Sequence, residues 1–585
     1  MEKKFLSGNE AAARGAWEAG VHVATAYPGT PSTEILENVA KFKEVYAQWS
    51  PNEKTAFEVA LGASIAGARA MVSMKHVGLN VAADPLFSAS YTGVNGGFVI
   101  ISADDPGMHS SQNEQDNRRY AKFAKIPLIE PSDSQEVHDF IKEAFEISEK
   151  FDTPVLFRLT TRISHSKGIV EVEDRKEIPL KEYKKIPEKY IILPAHAKKR
   201  HYFVEERTLK LKEYANTTPL NKIEWGDRKL GIITSGISYV HAREIFPDAS
   251  FLKLGFSWPF PEKLLKEFLN GVERAIIIEE NEPFLEEEIK FLGYNIEGKK
   301  FIPLVDELSP EVIRKGVLKE ELERLPDGKG VKRPPQLCPG CPHIGIFYNL
   351  WRLRATVTGD IGCYTLGALP PYNAMDTTIC MGAAVTNAHG FDVARGWDFT
   401  KKTVAVIGDS TFVHSGITGL ADIVYNKGNS TVIILDNRIT AMTGHQFHPG
   451  SGKNAKGEET KTLDFEKLAK AIGVDKVYHV DPHKLRETRK ILREAMSTPE
   501  PVVVLSERPC ALLPEERKKA KQRPKKVVIK DKCKGEKCMG CIKLGCPAIS
   551  LRDGKAYIEP LLCVGCDLCQ QVCPFDAIVE EGENV

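Results

Sequence analysis

Short runs of aliphatic and β-branched residues recur along the chain, each followed by a longer stretch of helix-like character. Val21–Thr25 is the first such run. It ends in Ala26-Tyr27-Pro28-Gly29-Thr30-Pro31-Ser32-Thr33-Glu34, a turn that closes on a helix start with its capping residue. The segment Glu53–Val72 is rich in small residues and reads as helix. Gly97–Ser102 (GFVIIS) and Pro154–Leu159 (PVLFRL) read as buried parallel strands. This alternation over residues 1–178 predicts a doubly wound α/β domain. Residues 179–226 change character: Lys, Glu and Tyr abound, with Pro179, Pro187, Pro194 and Pro219, so a linker is expected. A second α/β unit at 227–325 carries the strand runs Leu230–Thr234 and Ala275–Glu279. The Pro-, Gly- and Lys-rich Leu325–Pro335 marks a boundary. The rhythm returns over 330–515, with Thr403–Ile407 (TVAVI) and Thr431–Leu435 (TVIIL) as strands. In Arg517–Lys526, seven of ten residues are basic, which reads as a solvated linker or, alternatively, a docking patch for an acidic partner.

Composition narrows this picture. At 585 residues the chain is too long for one core, and three to five domains are expected at roughly 100–200 residues each. The 80 basic and 79 acidic residues nearly cancel, so no electrostatic grip on nucleic acid is indicated. No apolar run reaches the roughly 18 residues of a membrane-spanning helix. The start, Met1-Glu2-Lys3-Lys4-Phe5, leads into Gly/Ala-rich sequence with Glu10 rather than a signal-peptide apolar region. A cytoplasmic location is expected.

The 13 cysteines are unevenly placed: none precedes Cys338, and eight fall between 533 and 573. Such bunching points to metal binding rather than disulfides. The last run reads Cys563-x2-Cys566-x2-Cys569-x3-Cys573-Pro574, and the run before it Cys533-x4-Cys538-x2-Cys541-x4-Cys546-Pro547. Together they resemble a bacterial two-cluster ferredoxin over residues 525–585, a small α+β domain. That pattern assigns Cys546, Cys563, Cys566 and Cys569 to one 4Fe–4S cluster, and Cys533, Cys538, Cys541 and Cys573 to the other. The first run is wider than the usual spacing, so its cluster type is less defined. A zinc ribbon would need two pairs, not eight cysteines with two Cys-Pro ends.

Thr403–Ile407 runs into Gly408-Asp409-Ser410, and Asn437 closes the next strand 28 residues after Asp409. This resembles the thiamine diphosphate motif, with Ser410 where glycine is commoner. Mg²⁺ takes oxygen ligands, and Asp409, the Asn437 side chain and the Ile439 carbonyl would supply three. Tight turns at a helix start let backbone N–H groups approach a diphosphate. Alone, Gly408-Asp409 reads equally as a strand-end turn. The second half of such a site is Asn52-Glu53, ahead of Ala56, Ala60, Gly62 and Ala63. By resemblance, Glu53 offers its carboxylate to N1′ of the aminopyrimidine. Glu58 is the rival, and a surface helix-start glutamate is the bland reading of Glu53.

Cys338-Pro339-Gly340-Cys341 opens the third α/β domain, Gly359-Asp360-Ile361-Gly362-Cys363 follows, and Arg508-Pro509-Cys510 ends it. With these motifs the chain resembles the 2-oxoacid:ferredoxin oxidoreductases over essentially its whole length. The resemblance implies that Cys338, Cys341, Cys363 and Cys510 hold a third 4Fe–4S cluster beside the thiamine, with Gly359, Asp360 and Gly362 in the cofactor site. Inert thiols in a CxxC turn are the alternative, and Cys380 reads as core. Tyr27–Ser32 resembles the family's substrate-side loop, which maps Thr30 onto the 2-oxoacid. The order of pyrimidine domain (1–178), linker (179–226), transketolase C-terminal-like domain (227–325), diphosphate domain (330–515) and ferredoxin-like domain is similar to that of the large subunit of the aryl-pyruvate branch. The run Ser111-Gln-Asn-Glu-Gln-Asp-Asn-Arg118 looks like that subunit too.

That resemblance implies oxidative decarboxylation of indolepyruvate or phenylpyruvate, with coenzyme A taking the acyl group and ferredoxin the electrons. It also implies a smaller β subunit in an α₂β₂ assembly. Aryl preference rests on the resemblance alone, and another 2-oxoacid is the first alternative. A non-redox thiamine decarboxylase and an electron-transfer scaffold are the others. His76, His109, His414, His445 and His448 are candidates to line the cleft, none of them assigned a catalytic role.

Overall fold

The computed structural model describes residues 2–321 and 334–582. The boundary expected at Leu325–Pro335 lies almost wholly outside them. The chain forms two compact units, one on either side of residues 322–333. Among the described residues no helix is long and apolar enough to cross a membrane.

The first unit is built on a seven-stranded sheet. Its order is Phe256–Trp258, Leu128–Ile129, Val155–Thr160, Phe98–Asp104, Ala70–Lys75, Val23–Ala26, Tyr46–Trp49. All neighbours pair in parallel except the first two. The central strands are buried along their whole length, as helices on both faces of a parallel sheet require. Chain order reverses at Val23–Ala26: the next strand lies on one side of it and Ala70–Lys75 on the other. In open parallel sheets, ligands bind at such a reversal, outside the carboxyl ends of the strands.

Three expectations for this unit change. The helix beginning at Glu53 ends at Ile65, not near Val72. Gly67 adopts φ +104° just beyond it, and Ala70–Lys75 is a fully buried strand. The expected linker at 179–226 holds a 22-residue helix, Pro194–Ala215, and the strand Asn221–Glu224. That helix is anchored by the wholly buried Arg207, which donates to the Asp152 carbonyl at 2.9 Å. Finally, Phe256–Trp258, from the region expected to form a separate domain, pairs antiparallel with Leu128–Ile129 and covers the edge of the first sheet. The smaller sheet runs Ala275–Ile277, Asp227–Ser235, Ala249–Leu254, Asn221–Glu224.

The second unit centres on six parallel strands, ordered Thr377–Thr378, Thr356–Gly359, Thr403–Gly408, Thr431–Asp436, Val502–Glu507, Lys476–Val480. Its order reverses between Thr356–Gly359 and Thr403–Gly408. The C-terminal part adds two small antiparallel pairs, Lys526–Val528 with Ile578–Glu580 and Ile549–Arg552 with Lys555–Ile558. The basic stretch before it is not simply a solvated linker. Pro514–Gln522 is helical, and buried Lys526 pairs with Asp567 and Glu580.

Candidate active site and cluster sites

In the second unit, Gly359-Asp360 ends one strand at the reversal and Gly408-Asp409 ends its neighbour. Space there is tight. A Cβ on Gly408 would lie 2.7 Å from the Tyr364 ring, and one on Gly362 would lie 2.2 Å from it. Buried Asp360 accepts from the Gly382 N–H at 2.9 Å and from the Tyr364 hydroxyl, and burial pushes its carboxyl up to about 7. Thus Asp360 holds the wall of the site.

Asp409 is the centre. Its Oδ1 accepts from the Ser410 N–H at 2.8 Å, and its Oδ2 from the Arg438 N–H at 2.7 Å. Burial favours the neutral acid, but His448 beside Asp409 and the Ser410 N–H keep its carboxyl below the usual range. The Asn437 Oδ1 accepts from the Ile439 N–H at 3.0 Å, which folds the 437–439 turn against Asp409. The Gly450 N–H donates to His448 Nδ1 at 3.1 Å, leaving Nε2 to carry the proton of the neutral ring. That atom is 3.2 Å from Asp409 Oδ2, within ion-pair range but without a hydrogen bond's alignment. A carboxylate, an amide oxygen and a backbone carbonyl, with one buried polar atom left to satisfy, fit a magnesium diphosphate.

In the first unit, Thr30 follows the reversal strand, and its carbonyl accepts from the Ser110 hydroxyl at 3.5 Å. Glu53 is the first residue of its helix because Asn52 caps it, accepting from the Thr55 N–H at 2.8 Å. Glu53 is 5% exposed, whereas Glu58 is exposed and paired with Lys54. The geometry therefore favours Glu53 over its rival. A Cβ on Gly78 would lie 2.7 Å from both Cγ and Oε1 of Glu53.

The cysteines line three separate cavities. Cys546, Cys563, Cys566 and Cys569 line one, and Cys533, Cys538, Cys541 and Cys573 another. Cys338, Cys341, Cys363 and Cys510 line the third, of about 90 Å³, with His343, Asn437 and His445. Among the described residues, no three Cys, His, Asp or Glu side chains converge as around a single ion. Thiols standing around a cavity fit a cluster better than mononuclear zinc. Backbone N–H groups of Lys526, Gly535 and Ala577 donate to Cys563, Cys533 and Cys573 at 3.3–3.5 Å. Burial pushes Cys546 up to about 12 and Cys541 and Cys363 to about 11, so free thiols would stay neutral until metal binds. Cys380, expected in the core, is exposed.

Family models match along the chain. Residues 14–222 match "Pyruvate flavodoxin/ferredoxin oxidoreductase, thiamine diP-bdg", residues 360–505 "Thiamine pyrophosphate enzyme, C-terminal TPP binding domain", and residues 556–579 "4Fe-4S binding domain". Indolepyruvate oxidoreductase subunit IorA of Archaeoglobus fulgidus is 42% identical, covering 100% of this chain and 98% of that protein. The same subunit of Pyrococcus horikoshii is 44% identical with the same coverage. The chain belongs to the IorA family of indolepyruvate oxidoreductase subunits. It is a thiamine diphosphate and iron–sulfur protein of 2-oxoacid:ferredoxin oxidoreduction. 2-Oxoglutarate synthase subunit KorA of A. fulgidus is 26% identical over 48% of this chain and 89% of its own. A solved 2-oxoglutarate:ferredoxin oxidoreductase from Magnetococcus marinus matches at TM-score 0.46 and 18% identity, over 54% of this chain and 65% of that one.

Against this IorA-type frame, the histidines sort themselves. His448 faces Asp409 and His445 lies 3.7 Å from the Cys510 sulfur. His76 is fully buried against the Asn113 carbonyl, His109 meets Glu307 at the surface, and His414 bonds Ser415. Sequence reading missed His343, which accepts from the Asn437 amide at 3.5 Å and which burial lowers to about 4. The signal was the His two residues past the CxxC. It also missed Asp436, which burial and neighbouring Asp409 push up to about 7.

Proposed function

We propose that the chain is the catalytic large subunit of an enzyme that oxidatively decarboxylates aryl pyruvates with coenzyme A and delivers the electrons to ferredoxin. One observation carries the redox part of this reading. Cys338 and Cys341 line the cavity they share with Asn437, while Pro339 and Gly340 between them line the cavity of Cys546, Cys563, Cys566 and Cys569. A four-residue loop thus adjoins both cysteine sets, next to the residues assigned to the cofactor diphosphate. A non-redox decarboxylase has no use for that arrangement.

In this reading Asp409, Asn437 and the Ile439 carbonyl hold Mg²⁺, and the Ser410 and Gly408 turn receives the diphosphate. Bound thiamine diphosphate supplies a carbon nucleophile and an electron sink, and the three clusters accept electrons singly. Glu53 holds a proton at N1′ of the aminopyrimidine, and its burial keeps water from competing for it. Thr30 orients the 2-oxoacid. The Cys338, Cys546 and Cys533 sets would each hold a cluster, which would supply one-electron acceptors in that order. The named relatives are subunits, which supports a smaller β partner, and the family resemblance supports α₂β₂.

The test is anaerobic turnover by the complex reconstituted with its small subunit. Indolepyruvate, phenylpyruvate and pyruvate are compared with coenzyme A and a viologen acceptor. Faster turnover of pyruvate than of either aryl acid overturns the substrate. Iron and acid-labile sulfide near zero in anaerobically purified protein overturn the redox reading.

A further inference from the structure

The carboxyl end of the first sheet, at its reversal, carries a buried cation that the proposed reaction does not yet use. Lys75 is the last residue of the strand next to Val23–Ala26, and its side chain is 8% exposed. The Thr30 loop lies against it: a Cβ on Gly29 would sit 3.0 Å from the Lys75 Cβ. The Lys75 ammonium donates to the Ser110 carbonyl at 2.7 Å, and the Ser110 hydroxyl reaches the Thr30 carbonyl. Ser110 therefore ties Lys75 and Thr30 into one wall.

Among the described residues, no carboxylate forms an ion pair with Lys75. Asp105 is the charged neighbour acting on it, but its oxygens are spent elsewhere. They accept from the Ser110 N–H at 2.9 Å, from the Ser110 and Ser111 hydroxyls, and from the Thr161 hydroxyl at 2.7 Å. An ammonium has three donors, and a buried cation with one carbonyl contact is costly until an anion joins it. Burial lowers this amine to about 8, which still leaves it mostly charged near neutrality.

We propose that Lys75 is the cation that binds the carboxylate of the 2-oxoacid, opposite Thr30 at the sheet reversal. The inference rests on the 2-oxoacid reading above. A carboxylate is small enough to reach a buried ammonium at a strand end, and the substrate must present it before losing it as carbon dioxide. Holding it there orients the neighbouring keto carbon.

The experiment compares Lys75→Met and Lys75→Arg in the reconstituted complex, read by kcat and KM for phenylpyruvate and for coenzyme A. Loss of one partner of a buried charge pair predicts a KM for the 2-oxoacid raised ~30-fold or more in Lys75→Met, with a smaller change in kcat. Lys75→Arg recovers much of this, and the KM for coenzyme A stays near wild type. Inhibition by 3-phenylpropanoate weakens in Lys75→Met, while inhibition by its neutral amide does not. Iron content and thermal midpoint report whether Lys75→Met folds; if it does not, Lys75→Arg and the paired inhibitors on it decide. A 2-oxoacid KM within about twofold of wild type in a folded Lys75→Met overturns the assignment, as does an equal loss of acid and amide inhibition. A rise in the coenzyme A KM alone assigns Lys75 to a phosphate instead and also overturns it. If the unmodified complex turns over no 2-oxoacid, it is the functional reading that fails.

Discussion

Gly78→Ala separates the needs of the fold from the needs of the chemistry at Glu53. Gly78 lies in the helix His76–Val81 and does not adopt a positive φ. Alanine there is therefore favoured by roughly 0.5–1 kcal/mol as a helix former. The added Cβ, however, would lie 2.7 Å from Glu53 Cγ and Oε1. Ordinary carbon contacts are about 3.5–4.0 Å, so the carboxylate must retreat by about 1 Å. The fold tolerates this, because the displaced group is the end of a flexible side chain. Catalysis does not: a misplacement of about 1 Å costs on the order of 10²-fold. Removing the acid outright with Glu53→Gln costs about 10²–10⁴-fold. The assay is anaerobic viologen reduction by the reconstituted complex, with thermal unfolding and iron content measured alongside. Gly78→Ala is expected to lose about 100-fold in kcat/KM with unchanged midpoint and iron, and to add little in the Glu53→Gln background. Activity within about threefold of wild type refutes the reasoning, and so does a full additional loss in the double variant.

Cys510→Ala is expected to remove about four of about twelve irons per chain and slow electron delivery to viologen; iron unchanged from wild type would sink the third cluster. Gly340 adopts φ +72°, a Cβ on it would lie 2.4 Å from Val564 Cγ2, and it lines the cavity of Cys546, Cys563, Cys566 and Cys569. Gly340→Ala should therefore cost about 1–2 kcal/mol and shift the potential of a cluster in the Cys546 cavity in a potentiometric titration, and identical potentials would count against the packing of Gly340 on that cavity. Burial alone would lower the buried His138, but bonds to Asp139 and Glu18 hold it above its usual value, with Lys142 opposing. A raised folded-state value gives stability that is present below about 6.5 and lost as pH rises through the raised value. The melting-temperature gap between wild type and His138→Gln should therefore shrink from pH ~6 upward, and a gap widening with pH contradicts the sign.

How much of this was legible in sequence depended on the range of the interaction. Thr403–Ile407 and Thr431–Leu435 announced themselves as strands, since a strand buried on both faces is apolar at every position. Gly408-Asp409 and Asn437 followed, because adjacent strand ends fix them. The eight late cysteines were legible because cluster ligands repeat at short spacing. The helix Pro194–Ala215 was not, because it is held by a buried guanidinium and buries few of its apolar residues, Val204, Leu211 and Ala215. The strand Ala70–Lys75 was hidden for the opposite reason: its small residues continue the composition of the helix before it, and only Gly67 marks the break. Lys75 and His343 are isolated residues whose surroundings come from distant segments.

The two units divide the chemistry along the same line as the cysteines. In the first unit, the reversal of the sheet gathers the groups proposed to handle protons and anions: Glu53 against Gly78, and Lys75 against Gly29 beside Thr30. No cysteine lies there to exchange electrons. In the second unit, the corresponding reversal gathers buried Asp360 and Asp409, and three sets of buried or half-buried thiols adjoin it or lie further along the chain. The loop Cys338–Cys341 joins these sets rather than serving one. Its two thiols face the cavity of Asn437, while Pro339 and Gly340 line the cavity of the next set. A side chain at position 340 would press on Val564 between two thiols of that set, Cys563 and Cys566. A glycine in the left-handed region is therefore the residue that lets the inner set and its neighbour approach through backbone alone. In the proposed relay, electrons passing between the two sets would cross this one turn.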